Sequence, residues 1–206
     1  MGAFLAIGCV VSVAYGLWFC HEPVTAWRSV VKTVPVALLA VWAALAGGPV
    51  WLVAGLALSA FGDFALSREG ERAFLAGLCA FALAHVAYIA LLAGLVEGAP
   101  PVVPLVALLA LAVSTELWLA PHTGGMRWPV RVYVGLITVM AGCALALPGA
   151  MWLAALGAGA FVLSDTVLAV QLFRRDVAAR FDRALSVVLW ALYYGAQMAM
   201  AVALAG

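Results

Sequence analysis

Charged side chains are scarce in this sequence. Only 9% of the 206 residues are Asp, Glu, Lys or Arg, against about 25% in a typical soluble domain. A chain this apolar cannot cover a water-facing surface, so we expect an integral membrane protein, placed in a bacterial inner membrane. The net charge is only +1, and basic residues do not cluster with aromatic ones. Nucleic acid is therefore excluded as a partner.

Metal and redox motifs are also missing. The four cysteines lie singly within apolar runs, and no two of them form a CxxC pair. Catalytic zinc usually takes three protein ligands. His85 lies near the middle of an apolar run, too deep to join the loop residues His21 and His122. We therefore predict no metal and no other cofactor.

Long apolar runs, by contrast, fill most of the chain. A membrane-spanning helix needs about 20 apolar residues, and no stretch alternates in the manner of a barrel strand. The pattern predicts an all-α integral membrane protein, a single transmembrane domain over residues 1–206 with eight transmembrane helices, the second of them short. The predicted helices cover residues 2–20, 33–47, 50–67, 73–95, 101–120, 130–147, 150–173 and 184–205.

Basic residues are absent from three of the seven predicted loops and from both termini. Basic side chains accumulate in cytoplasmic loops of membrane proteins. The odd-numbered loops are therefore predicted to be cytoplasmic, and both termini to lie on the other side. The ten basic residues, all in or beside odd-numbered loops, are Arg28, Lys32, Arg68, Arg72, Arg127, Arg131, Arg174, Arg175, Arg180 and Arg183.

Short motifs in the two halves of the chain resemble each other. The third predicted helix ends in "SAFGDFAL" and the seventh contains "AFVLSDTVLAV". The fourth and eighth helices carry the pairs His85/Tyr88 and Tyr194/Gln197, each spaced i, i+3 on one helix face. These matches favour two four-helix repeats, about 1–98 and 101–206, related by an axis along the membrane normal. Chance similarity of short motifs is the alternative.

Two aspartates, Asp63 and Asp165, lie inside apolar helices. A carboxylate at the centre of a bilayer costs a few kcal/mol or more, unless it faces a protein interior, a cation or a water-filled pocket. One explanation is structural, with each carboxyl capping or pairing inside the bundle. Their matching positions in the two halves favour the other explanation, a shared functional site.

Further polar side chains accompany these aspartates. Lys32 is either a snorkelling residue at the start of the second helix or a counter-ion for a carboxylate or a lipid phosphate. Tyr193 and Tyr194 point in different directions, and we favour Tyr194 as the one facing the pocket because it pairs with Gln197. The polar residues run from the basic side to about the middle of the helices, which predicts a pocket opening to the cytoplasmic leaflet and deep enough for a lipid chain. The remaining members of the set are His85, Tyr88, Tyr133, Ser164 and Gln197.

Together these residues resemble a known family. "KTVP" at Lys32, Gly62-Asp63, His85-x-x-Tyr88, Tyr133, Ser164-Asp165 and Tyr194-x-x-Gln197 are similar, in order and spacing, to the YhhN family of integral membrane lysoplasmalogenases. The resemblance covers about residues 28–200. It implies an eight-helix enzyme that hydrolyses the vinyl ether bond of a lysophospholipid, the lysoplasmalogen, to a fatty aldehyde and a glycerophospho-base.

The chemistry of that reaction suits the buried residues. Cleavage of a vinyl ether needs a proton donor and a carboxylate that stabilises an oxocarbenium ion, work that paired carboxylates perform in glycosidases. We therefore predict catalytic roles for Asp63 and Asp165, with acid and base unassigned. The predicted substrate-binding residues are Lys32, His85, Tyr88, Tyr133, Ser164, Tyr194 and Gln197. The alternatives are a small transporter or lipid-binding protein that uses the buried Asp and His residues as a path, and a purely structural bundle.

Overall fold

The structure is a computed structural model that describes residues 2–205, and within this range it contains helices and no strand. Seven of the helical segments are long and apolar enough to cross a membrane, and α3, with 17 residues, is a shorter apolar helix. The all-α class is thereby confirmed, and the long apolar helices agree with an integral membrane protein, whereas the eight spans and the two repeats stay predictions. The helices are α1 (Gly2–Ala14, continued by the π-helical segment Tyr15–Phe19), α2 (Ala26–Leu45), α3 (Val50–Leu66), α4 (Glu71–Ala93), α5 (Val102–Trp118), α6 (Arg127–Leu145), α7 (Trp152–Phe173), the single turn α8 (Arg175–Ala178) and α9 (Asp182–Ala205).

The start of α2 differs from its prediction. The helix begins seven residues before the predicted residue 33 and is 20 residues long, so it is not a short span. Thr25 caps it, because its hydroxyl accepts the backbone N–H of Arg28 at 3.1 Å. The placement of Lys32 at the helix start is therefore wrong, since this residue lies nearly two turns inside α2. Hydropathy missed the first turns because two basic residues interrupt the apolar pattern without opposing helix formation.

Hydrogen bonds between loops assign the helix ends to two sides of the bundle. On one side, Ser29 donates to the carbonyl of Ser67 at 3.1 Å, and Arg174 donates to the carbonyl of Trp118 at 3.2 Å. These contacts join helix ends beside the odd-numbered loops, where the basic residues lie, and we call this side the basic end. On the opposite side, the N–H of Glu97 donates to a carbonyl after α6, at 2.9 Å. That the basic end faces the cytoplasm stays a prediction.

The tightest packing joins α3 to α4 and α7 to α9. Glycines allow the close approach of α3 and α4, because a Cβ on Gly62 would lie 2.7 Å from the Phe81 ring. Helix α5 is peripheral by comparison, with no buried residue and contacts mainly to α6. The space that this leaves between α5 and α7 lies beside the candidate site.

Candidate functional site

The carboxyl group of Asp63 is buried between three helices. Asp63 on α3 is 1% exposed. Lys32 on α2 places its Nζ 3.3 Å from Oδ1, and the hydroxyl of Tyr193 on α9 donates to Oδ2 at 2.6 Å. Each oxygen therefore faces a positive charge or a hydroxyl donor. This arrangement favours the ionised carboxylate, because both interactions stabilise negative charge.

The carboxyl group of Asp165 has a different environment. Asp165 on α7 accepts a hydrogen bond from the hydroxyl of Tyr133 on α6, at 2.7 Å from Oδ2. The same oxygen lies 3.8 Å from Nε2 of His85 on α4. Within residues 2–205, no Lys or Arg lies within ion-pair distance of Asp165. Its partners are therefore a tyrosine and a histidine, with no permanent cation.

The contact of His85 with the main chain determines which ring nitrogen carries a hydrogen and which one faces Asp165. Its Nδ1 lies 2.7 Å from the carbonyl oxygen of Phe81. A carbonyl can only accept, so Nδ1 carries a hydrogen and Nε2 faces the carboxyl. If Asp165 were ionised and His85 neutral, two lone pairs would face each other across 3.8 Å without a proton between them. At 3.8 Å the two atoms are too far apart for a hydrogen bond, so Nε2 of His85 is buried without a hydrogen-bond partner among the described residues, and a proton on either Asp165 or His85 would remove the repulsion between the lone pairs.

Both carboxyl groups line a single cavity. We call this the polar cavity. Of the residues predicted for the site, it brings together Lys32, Asp63, Tyr133, Ser164 and Asp165. His85 contacts Asp165 from behind the wall and does not itself line the cavity. The remaining lining residues are Leu66, Phe81, Leu168, Leu189, Trp190 and Tyr193.

Tyr88 and Gln197 form a separate polar contact next to this cavity. The hydroxyl of Tyr88 on α4 donates to Oε1 of Gln197 on α9, and both side chains are fully buried. Neither residue lines the polar cavity. In the described part of the chain, Nε2 of Gln197 and the hydroxyl of the nearby Ser59 have no hydrogen-bond partner. The structure therefore places this pair as a link between α4 and α9 beside the site.

The choice of Tyr194 over Tyr193 as the tyrosine facing the pocket is wrong. Tyr194 points to α1, where its hydroxyl lies 4.0 Å from Sγ of Cys9, and its ring stacks on Trp190. Tyr193 is the residue that reaches Asp63. Sequence spacing held a signal for this, because Tyr193 is four residues before Gln197 and so shares its face as well as Tyr194 does.

The part of the chain that the structure describes contains no cluster of three His, Cys, Asp or Glu side chains that could hold a metal ion. The two aspartates are each already in contact with a tyrosine hydroxyl. Proton transfer and charge stabilisation are chemistry that these residues offer by themselves.

The sequence was compared with models of known protein families. The model of the YhhN family matches residues 27–204, which is most of the chain. The chain belongs to the YhhN family. In this member of the YhhN family, the match begins at the start of α2 and includes every residue of the polar cavity. Neither the comparison with curated proteins nor that with solved structures finds a match.

Proposed function

We propose that the protein is a membrane hydrolase that cleaves the vinyl ether bond of lysoplasmalogens, releasing a fatty aldehyde and a glycerophospho-base. The observation that carries this proposal is the pair of buried carboxyl groups on one cavity, one beside a lysine and the other beside a histidine. Membership of the YhhN family supports it. The lipid substrate itself is part of the proposal.

The reaction proceeds by proton transfer to carbon. A proton adds to the β-carbon of the vinyl ether, and the α-carbon and the ether oxygen then share the positive charge of an oxocarbenium ion. Water adds to the α-carbon and loses a proton to a base, which gives a hemiacetal. The hemiacetal collapses to the aldehyde and the alcohol of the glycerophospho-base. One water is consumed, and no electrons are transferred to or from the substrate.

The two carboxyl environments match the two roles in this sequence. Asp165 has His85 beside it and, among residues 2–205, no permanent cation, and we assign this carboxyl group, in its protonated form, as the donor. Asp63, ionised beside Lys32, stabilises the oxocarbenium ion and accepts a proton from water. Opposite protonation states set by different surroundings are the usual way in which two carboxyl groups divide acid and base catalysis.

Release of aldehyde by the purified protein tests the proposal. Asp63→Asn and Asp165→Asn keep the side-chain size and remove the titrating group. Each change should lower the rate at saturating lysoplasmalogen by on the order of 10²-fold or more, since positioned acids and bases contribute about 10²–10⁴-fold. Asp176→Asn is the matched control, because this aspartate lies exposed in the single turn α8, paired with Arg174.

Two results would contradict the proposal. Wild-type turnover in both cavity variants would exclude the catalytic roles of the aspartates. Binding of the lysolipid by the wild-type protein without any aldehyde release would instead favour the lipid-binding or transport alternative. Folding of each variant is verified by gel filtration and thermal unfolding in detergent before the rates are compared.

A further inference from the structure

A second chamber adjoins the polar cavity at the basic end. It lies among α4, α5, α6 and α7. We call it the apolar chamber, because leucine, valine, phenylalanine and other apolar side chains make up most of its wall. The two spaces share part of their lining, so they lie side by side. The shared residues are Leu66, Phe81, Tyr133, Asp165 and Leu168.

We propose that the apolar chamber holds the alkyl chain of a single-chain membrane lipid, while the head group occupies the polar cavity beside Lys32. The proposal rests on the proposed function for the identity of the head group and the reacting bond. It adds the orientation of the lipid: the chain runs between α5 and α7, and the bond to be broken passes Asp165.

The hydroxyl groups in the chamber wall are already satisfied by the protein. Thr115, Thr138 and Thr166 each donate to a backbone carbonyl of their own helix, at 2.6–2.8 Å. They therefore have little need of a polar ligand. Apart from Asp165 and Tyr133, which belong to the shared wall, the chamber offers an occupant almost only apolar contacts, as an alkyl chain requires.

The size and position of the chamber also suit a lipid chain. Along α7 its wall extends from Val162 to Phe173, eleven residues at about 1.5 Å each, or roughly 16 Å. This is about half of the 30 Å hydrocarbon core, the depth of one leaflet. One wall is the peripheral helix α5, which has no buried residue and packs mainly on α6. A chain could therefore enter from the surrounding lipid beside α5.

This orientation agrees with the positions of the reacting atoms along the lipid. In a vinyl ether, the carbon that receives the proton is on the alkyl side, and the oxygen that shares the positive charge is on the head-group side. Asp165 lies in the wall common to both spaces, whereas Asp63 lines only the polar cavity. The lipid as placed therefore presents its β-carbon to the proposed proton donor and its ether oxygen to the proposed carboxylate.

Photo-crosslinking locates the chain directly. The probe is an ester-linked lysophosphatidylcholine with a diazirine at the end of its chain, incubated with the wild-type protein in detergent micelles. We expect labelled peptides from the parts of α5 and α7 that line the chamber, and loss of this label with excess unlabelled lysophosphatidylcholine. Labelling of lipid-facing surfaces is not competed in this way, so competition identifies the specific site.

Filling the chamber provides the matched comparison. Ala112→Phe adds a ring on the α5 face that lines the chamber, whereas Ala110→Phe adds the same ring on the exposed face of α5. Competed labelling should fall roughly tenfold in Ala112→Phe, the factor that about 1.4 kcal/mol corresponds to, and should be unchanged in Ala110→Phe. Ala169→Phe, on the α7 side, should repeat the effect and serves if Ala112→Phe does not fold.

The result separates this inference from the proposed function, because the probe contains no vinyl ether. Competed chamber labelling without aldehyde release from lysoplasmalogen would contradict the hydrolase and keep the lipid-chain site. Aldehyde release, with labelling that is uncompeted or unaffected by Ala112→Phe and Ala169→Phe, would overturn the chain site and keep the hydrolase.

Discussion

Replacing Lys32 by methionine tests how strongly the polar cavity depends on its one lysine. Lys32 lies 3.3 Å from Asp63, and the two side chains are only 15% and 2% exposed. Removing one partner of a buried ion pair typically costs about 3–5 kcal/mol, because the other charge stays buried and unpaired. Tyr193 still donates to Asp63, so we expect a loss near the lower limit, about 3 kcal/mol of unfolding free energy.

A double-mutant cycle gives the measurement. The free energy of unfolding is determined in mixed micelles for the wild type, Lys32→Met, Asp63→Asn and the double variant. The double variant should recover most of the stability lost in Lys32→Met, since no unpaired charge remains. The loss in Lys32→Met should also shrink as the pH falls, because protonation of Asp63 removes the buried charge.

The exposed pair of Arg174 and Asp176 is the control for this cycle. Its atoms are closer, 2.8 Å apart, but Asp176 is 60% exposed. The Arg174 guanidinium holds the pKa of the Asp176 carboxyl below its usual range. Asp176→Asn should nevertheless change stability little, because solvent screens exposed pairs. A loss below about 1 kcal/mol in Lys32→Met, the size expected of an exposed pair, would refute the reasoning from burial.

Three further predictions follow from other parts of the molecule. A reporter fused to the C-terminus should be non-cytoplasmic and one in loop 174–183 cytoplasmic, and the reverse result would overturn the charge argument. Gly62→Ala should lower the unfolding temperature, because the added Cβ would lie 2.7 Å from a buried ring. Gly135→Ala should leave the unfolding temperature unchanged, because no neighbouring atom lies within 4 Å of its added Cβ. Tyr193→Phe should reduce aldehyde release by about 10–100-fold, as expected for losing a hydrogen bond to a charged group, whereas Tyr194→Phe should leave it unchanged; equal effects would contradict the assignment of Tyr193.

Much of the fold could be predicted because lipid imposes a simple rule. A helix that crosses the bilayer must be predominantly apolar, so most predicted runs lie within a few residues of the observed helices. The rule failed at α2, whose first turns carry Arg28 and Lys32 at the basic end. A hydropathy profile identifies residues that suit the lipid interior, so it does not detect helical turns that extend beyond the bilayer. The N-cap residue Thr25 was the local signal for the true start.

The sequence predicted which residues form the candidate site better than it predicted the contacts between their side chains. A polar residue inside an apolar run is visible in sequence, and this property identified Asp63, Asp165 and Lys32. Which side chain meets which carboxyl depends on how distant helices pack, so the contact of Asp63 with Tyr193 could not be read from spacing alone. The apolar chamber had no sequence signal, because its walls consist of ordinary lipid-span residues.

The partners of the two aspartates cross between the halves of the chain. Asp63, in the first half, accepts a hydrogen bond from Tyr193 of the second, and Asp165, in the second half, faces His85 of the first. Neither half therefore contains a complete environment for its own carboxyl group. If the chain were divided in the loop between α4 and α5, each fragment would carry a buried aspartate lacking one of its partners. Co-expressed fragments could restore the cavity only by docking, so the site itself would report on their association.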